Sequence, residues 1–265
     1  MTTLRHGDRG QGVRTLQIRL NRQGARVEET GLFGDLTEAA VRTYQHKVGL
    51  VADGVAGEKT NAALAGFDLA RLLDHATLEA GAARLGVPLP TLMAVNEVES
   101  LGMGFLENGK PKILLERHVL YRQLPAGERD ALAECYPQLV HPQAGGYVGG
   151  SGEHARLALA RDLAGDCALA ACSWGAFQVM GYHAERLGYP SVAVFTEQMG
   201  MNEHAQFEAF LRFIEHDPAL HKALKARRWA TFAERYNGPA YRRNLYDTRL
   251  ERAYARHAEA LQAFA

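Results

Sequence analysis

The feature that most constrains the fold is a motif that occurs twice within the first 66 residues. TGLFGDLTEAAVRTYQ and ADGVAGEKTNAALAG each contain Gly-x-x-Gly-x-x-Thr, once at Gly31, Gly34 and Thr37 and once at Gly54, Gly57 and Thr60. The glycines predict tight turns and each threonine predicts the opening of a helix, so the segment reads as short helices joined by turns. Val13, Leu16 and Leu20 recur at i, i+3 and i+7, as do Val41, Tyr44 and Val48. Each set marks one apolar helix face, and three such faces make a small three-helix core.

Residues 67–74 read as a connector, without the Pro/Ser character of a long flexible linker. From there to the end the pattern stays helical. Helices are predicted over 74–85, 90–101, 113–123, 126–135, 153–164, 167–171, 176–186, 193–215, 218–225, 229–236 and 240–262. A brief hairpin between Gly104 and Leu114 fits Asn108-Gly109 as its turn. The expected class is all-α, with at most a small β-hairpin. Residues 1–66 form one domain and residues 75–265 a larger one, a size at which 265 residues can bury proper cores.

Lys+Arg and Asp+Glu balance at 30 each, so whole-chain charge is no argument for nucleic acid, and no nucleic-acid partner is expected. The balance is uneven, however. Lys222, Lys225, Arg227, Arg228, Arg235, Arg242, Arg243, Arg249, Arg252 and Arg256 face only Glu234, Asp247 and Glu251. This run is either a surface for an anionic cell-envelope polymer or the solvated face of terminal helices. Cys135, Cys167 and Cys172 make an odd count and no disulfide framework, which fits a reducing compartment. The start MTTLRHGDRG has no apolar signal region, and no stretch is long enough to span a membrane. The expectation is a soluble chain made in a cytoplasm, without stable membrane insertion.

The chemistry points to Asn96-Glu97-Val98-Glu99-Ser100. On a helix starting at Pro90 and stopping near Gly102, Leu92, Val95 and Glu99 share a face and Glu97 lies opposite. Glu99 is then an acid among apolar side chains at a helix end. Burial raises the pKa of such a group, which is how a glycosidase obtains its general acid. The spacing equally admits a surface-leaning glutamate tethered at a helix terminus.

Residues 4–65 resemble the peptidoglycan-binding module of wall-lytic enzymes. The resemblance rests on Gly12-Val13, Leu16-Gln17 and Leu20, then Gly31-Leu32-Phe33-Gly34, Thr37, Ala40-Val41, Tyr44-Gln45 and Gly49-Leu50, and finally Asp53 to Gly57, Thr60 and Leu64. Most of these residues are structural. Phe33, Asp35, Gln45 and Asp53 are the wall contacts that the resemblance suggests.

Four segments of the second domain read as parts of one cleft. They are Val98-Glu99-Ser100, the run from Gly109 through Pro111-Lys112-Ile113-Leu114 to Glu116-Arg117-His118, Ser173 to Gly181, and Arg235-Tyr236-Asn237-Gly238-Pro239. The set resembles the lysozyme-like superfamily of goose-type lysozymes and lytic transglycosylases. Residues 75–265 as a whole resemble the N-acetylmuramidase domain of modular phage endolysins, in which a wall-binding module is the usual companion. The resemblance implies an enzyme that cuts the β-1,4 bond between N-acetylmuramic acid and N-acetylglucosamine for host lysis. Its substrate is bacterial peptidoglycan, with no cofactor, no metal and a monomeric chain. Glu99 would be the acid and Glu116 the second carboxylate, although Glu116 reads equally as the partner of Arg117 or another cation. Ser100 would orient the acid or cap its helix. Gln178 would meet an acetamido group, and Tyr236 and Asn237 the reacting sugar. Trp174 and Phe177 are candidates to stack on sugars, with core packing as their default. The run Gly145-Gly146-Tyr147-Val148-Gly149-Gly150-Ser151-Gly152 lacks a phosphate-loop ending and reads as a mobile rim loop.

Water capturing the cation gives a reducing sugar, and the C6 hydroxyl gives the 1,6-anhydro product of a lytic transglycosylase; these residues fit both. A zinc amidase or peptidase is the first rival. Its raw material would be His118, His154, His183, His204, His216 and His221, but H-E-x-x-H is absent. A cysteine peptidase at Cys172-Ser173-Trp174 is the second, and a glycan-gripping protein without catalysis is the third. An enzyme of this kind is expected to wait in the host cytoplasm and reach the periplasmic wall once the membrane is permeabilised.

Overall fold

Turns in the first 66 residues are built on a duplicated hydrogen-bond frame. The computed structural model describes residues 2–100 and 102–263. In it α1 (Gln11–Arg22), α2 (Asp35–Lys47) and α3 (Glu58–Leu64) surround Val13, Leu16, Leu20, Phe33, Val41 and Tyr44. Gln17 donates to Leu32 O and Thr37 Oγ1 at 3.0 Å each and accepts from Gly31 N at 2.9 Å. Gln45 does the same at the second turn, donating to Val55 O and Thr60 Oγ1 at 3.0 Å and accepting from Gly54 N at 2.9 Å. This frame is the physical content of the sequence echo. It also corrects one expectation: Gly34 and Gly57 are the N-caps, whereas Thr37 and Thr60 are third helical residues that bond back to the turn. Gly54 has φ +75°, and a Cβ there would lie 2.8 Å from Arg42 Nε, so no larger residue fits.

The chain forms two compact units, Met1–Met103 with Pro218–Ala265, and Gly104–Asp217. The first continues with α4 (His75–Leu85) and α5 (Leu89–Glu99). Asp74 caps α4 by accepting from Thr77 N at 2.6 Å, and Gly86 closes it in the left-handed region. Pro90 sits in the first turn of α5, one residue later than the helix start. That helix ends at Glu99; its predicted last residue, Leu101, lies outside the described residues. Thr91 to Asn96, Val98 and Glu99 are all buried. So α5 is a central helix rather than a one-faced amphipathic one.

The second unit holds β1 (Ile113–Leu115), α6 (Arg117–Gln123), α7 (Ala126–Cys135), α8 (Gly152–Ala164) and α9 (Asp166–Ala170). It continues with β2 (Cys172–Trp174), β3 (Val179–Met180), α10 (Val192–Met199) and α11 (Glu203–Glu215). The strands form an antiparallel sheet in the order β1-β2-β3, pairing Ile113 with Trp174 and Trp174 with Val179. The fold is therefore mostly helical with a small sheet. Three predicted helices change accordingly. Residues 113–115 are a strand, because their apolar side chains alternate between faces of a buried sheet. Residues 176–186 are a turn, a strand and a 3-10 turn, set by Gly175 at φ +73° and Gln178 at φ +51°. The helix over 193–215 is interrupted at Gly200, and Asn202 starts the second part by accepting from Ala205 N at 2.9 Å. The expected 104–114 hairpin is reduced to a Phe105–Pro111 bridge around the Asn108-Gly109 turn.

The chain then returns to the first unit through α12 (Pro218–Lys225), α13 (Trp229–Asn237) and α14 (Tyr246–Ala263). Pro239–Asn244 is a 3-10 turn and Leu245 adopts φ +50°, which delays the final helix to 246. The expected 75–265 domain thus supplies helices to both units, while the three-helix module keeps a core of its own within the first.

Candidate active site

Glu99 is the last residue of α5 and is 7% exposed. Ser100 leaves the helix in an extended conformation, its N–H bonded to Asn96 O at 3.1 Å. Asn237, the last residue of α13, donates through Nδ2 to Glu99 Oε1 at 3.0 Å. Burial holds the Glu99 pKa up at about 7, against the opposing pull of the Asn237 hydrogen bond and of Arg249. Tyr236 precedes Asn237, stacks on Phe232 at 5.8 Å, and has its phenol pushed well above the usual range by burial, then by Glu99 and Tyr246. The Tyr-Asn-Gly run is accordingly the end of a helix, with Gly238 leaving it at φ +77°. Glu99, Ser100, Tyr236 and Asn237 all belong to the first unit.

Glu97 points to different company, as the wheel predicted. It accepts from Arg256 and, at 2.8 Å, pairs with the buried His257 of α14. Burial alone would raise its pKa, but the hydrogen bond to His257 and the neighbouring Arg256 hold it near 2. The two glutamates of one helix are thus pushed in opposite directions by their surroundings.

Glu116, Phe177 and Gln178 belong to the second unit. Glu116 accepts from Tyr147 Oη at 2.7 Å and lies 3.1 Å from His118 Nδ1. Arg117, its expected alternative partner, instead donates to the carbonyls of Pro137, Gln143 and Ala144. Gln178 spends part of its amide on its own turn, donating to Gly175 O at 2.8 Å and accepting from Ser173 Oγ at 2.7 Å. Phe177 is corrected outright: at 3% exposure, stacked on Phe210 at 4.5 Å, its ring is core and not a platform for sugar. Trp174 is likewise buried, its indole N–H on Leu169 O. The glycine-rich run is tied down, since Val148 N and Gly149 N donate to Glu153.

The wall-module candidates divide the same way. Phe33 is fully buried and Gln45 is 2% exposed within its frame, so neither offers a surface to glycan. Asp53 is half-buried, accepts from Gln45 and Val55 N, and is raised in pKa chiefly by burial. Asp35 is exposed, with His6 at 2.9 Å.

Three buried side chains, Glu153, Gln206 and Glu203, had no signal in the sequence. Glu153 is fully buried, accepts from Leu115 N, Val148 N and Gly149 N, and pairs with Arg156 at 2.6 Å. Burial would raise its pKa, but these donors hold it below the usual range. Gln206 is 1% exposed and ties Ala176 N to Met199 O, and Glu203 takes Gly104 N at 2.7 Å. A Cβ on Gly104 would meet Gln206 Oε1 at 2.0 Å, which explains the glycine.

The rival chemistries find little support. Cys172 is fully buried and burial drives its thiol far up, opposite to a nucleophilic thiolate. His154 and His221 bond to the carbonyls of Pro111 and Leu85, and burial beside Arg186 lowers His183 to about 4. Among the described residues no three His, Cys, Asp or Glu side chains are grouped to hold a metal ion.

Residues 88–258 match the family model described as N-acetylmuramidase. Residues 9–64 match that described as putative peptidoglycan binding domain. A zinc D-Ala-D-Ala carboxypeptidase of Streptomyces albus G is 46% identical over 61 residues, 22% of this chain and 24% of that enzyme, so the chain spans only that part of its length. A Burkholderia AP3 phage endolysin of known crystal structure is 51% identical, covering 97% of this chain and 100% of its own, with a TM-score of 0.93.

Proposed function

Because this chain belongs to the N-acetylmuramidase family, we propose that it is a peptidoglycan-hydrolysing endolysin, a glycoside hydrolase in which Glu99 is the general acid. The observation that carries the assignment is the buried Glu99 carboxyl, held by the Asn237 amide with its pKa near 7. A proton is present on that group at neutral pH and can be given up. Glu99 protonates the O4 oxygen of N-acetylglucosamine as the bond to C1 of N-acetylmuramic acid breaks. Asn237 occupies Oε1, which fixes the carboxyl plane and leaves Oε2 to carry the proton. Tyr236, kept neutral, and Ser100 line the approach. Glu116, which accepts from Tyr147 Oη, is the candidate second carboxylate and would take a proton from the attacking water. Water adds to C1, giving a reducing N-acetylmuramic acid.

Residues 1–66 are the wall-binding domain, 67–74 the connector and 75–265 the catalytic domain; the separate core of the first supports the division. Asp35 and Asp53 are the remaining wall contacts. The enzyme works as a monomer, and among the described residues no helix is long and apolar enough to cross a membrane. It is made in the host cytoplasm and acts on the periplasmic wall after the membrane is permeabilised. Mass spectrometry of muropeptides released from purified walls tests the reading. Reducing N-acetylmuramic acid ends support it. Anhydro ends replace hydrolysis by transglycosylation, and cut peptides with intact glycan overturn it.

A further inference from the structure

The basic run near the C-terminus has a destination that catalysis leaves unused. A cavity of about 490 Å³ in the first unit is walled by α14, the end of α5 and the wall-binding module. Arg249, Arg252 and Arg256 enter it from α14, and Arg5 and Lys59 from the module. Arg256 is taken by Glu97. Arg5, Arg249 and Arg252 have no carboxylate within ion-pair distance among the described residues. The acidic groups in the wall are Asp53, Glu97 and Glu58: Asp53 accepts from Gln45 and Val55 N, Glu97 from Arg256 and His257, and Glu58 from Met103 N at 3.4 Å. Asn96 also lines the cavity, and although only 6% exposed its Oδ1 has no hydrogen-bond partner. A buried acceptor left unpaired costs stability unless a ligand supplies its donor. Ser100, next to the proposed acid, is part of the same wall, and Arg249 acts electrostatically on Glu99 itself.

Together these features call for a ligand that is anionic, carries N–H donors and hangs beside the glycosidic bond. The peptide attached to the lactyl ether of N-acetylmuramic acid has all three properties. We propose that this cavity binds the carboxylates and amides of the stem peptide, so that the enzyme prefers glycan that bears its peptides. Free-carboxylate pairing with Arg5 and Arg252 would anchor the peptide, and Asn96 would accept one of its amide N–H groups. The volume lies in the range of ordinary ligand pockets. The proposal rests on the glycosidase reading above.

The test compares soluble glycan strands with their stem peptides against the same strands stripped by an amidase. Wild type is expected to show a lower KM on the peptide-bearing strands. Arg252→Ala, and more strongly Arg252→Glu, should raise that KM about tenfold, the loss of one charge-assisted hydrogen bond. Both variants should leave kcat and the KM on bare strands unchanged, and Arg252 is exposed enough for them to fold. Equal KM values on the two substrates in wild type, or equal losses on both in the variants, overturn the proposal. Failure of wild type to cut either strand between sugars would overturn the glycosidase reading instead.

Discussion

Glutamine at position 99 keeps the side chain's size and the acceptor that Asn237 addresses, but it has no proton to donate. A general acid contributes about 10²–10⁴-fold to rate, so clearing of wall substrate by Glu99→Gln should fall by at least about a hundredfold. Stability should move the other way. The Glu99 carboxyl ionises near pH 7 in the folded chain against 4.5 ordinarily, so the folded state holds the proton more tightly. Its contribution is fully present below about 4.5, is lost as pH rises, and levels off above about 7. The whole change amounts to about 3 kcal/mol. Glu99→Gln escapes it, and should match wild type near pH 4 while exceeding its stability by up to about 3 kcal/mol near pH 8. Denaturant unfolding at both pH values, beside turbidity assays, measures the two effects. Near-normal clearing would refute the acid role. A stability difference independent of pH would refute the buried proton.

Asn237→Ala removes a hydrogen bond that favours the ionised acid, so the alkaline limb of the pH–rate profile should move up while kcat falls about tenfold; a downward move would contradict the geometry. Gln45→Ala strips donors and an acceptor from the second turn of the module and should cost about 3 kcal/mol with weakened wall binding. Asp35→Ala should leave the melting temperature unchanged, which calorimetry of the two variants compares. Glu153→Gln leaves Arg156 with a buried, unbalanced charge and should cost about 3–5 kcal/mol in urea unfolding. In wild type the Glu153 contribution is held above the usual carboxylate range and lost as pH falls through its lowered folded pKa.

Much of this was legible in the residue order because it is local. The two Gly-x-x-Gly-x-x-Thr turns announced the module, since a turn and a helix start depend on a few adjacent residues. The wheel through Leu92, Val95 and Glu99 separated Glu99 from Glu97, since helical period alone fixes which side chains share a face. The strand at Ile113–Leu115 and the break at Gly200 were missed, because short apolar runs fit strand and helix alike until a partner strand or a cap settles the matter.

What position in the chain could not decide is the use to which each polar or aromatic side chain is put. Phe33, Gln45 and Phe177 read as surfaces for sugar, yet they are buried by neighbours distant in sequence. Glu99 gained its proton affinity from a dry environment, against the opposing hydrogen bond of Asn237, 138 residues away. Local order determined the helices, the doubled turn and the candidate acid. Only the tertiary structure, by setting solvent exposure and long-range partners, decided which carboxylates are charged, which amides are spent and which arginines are left facing a cavity.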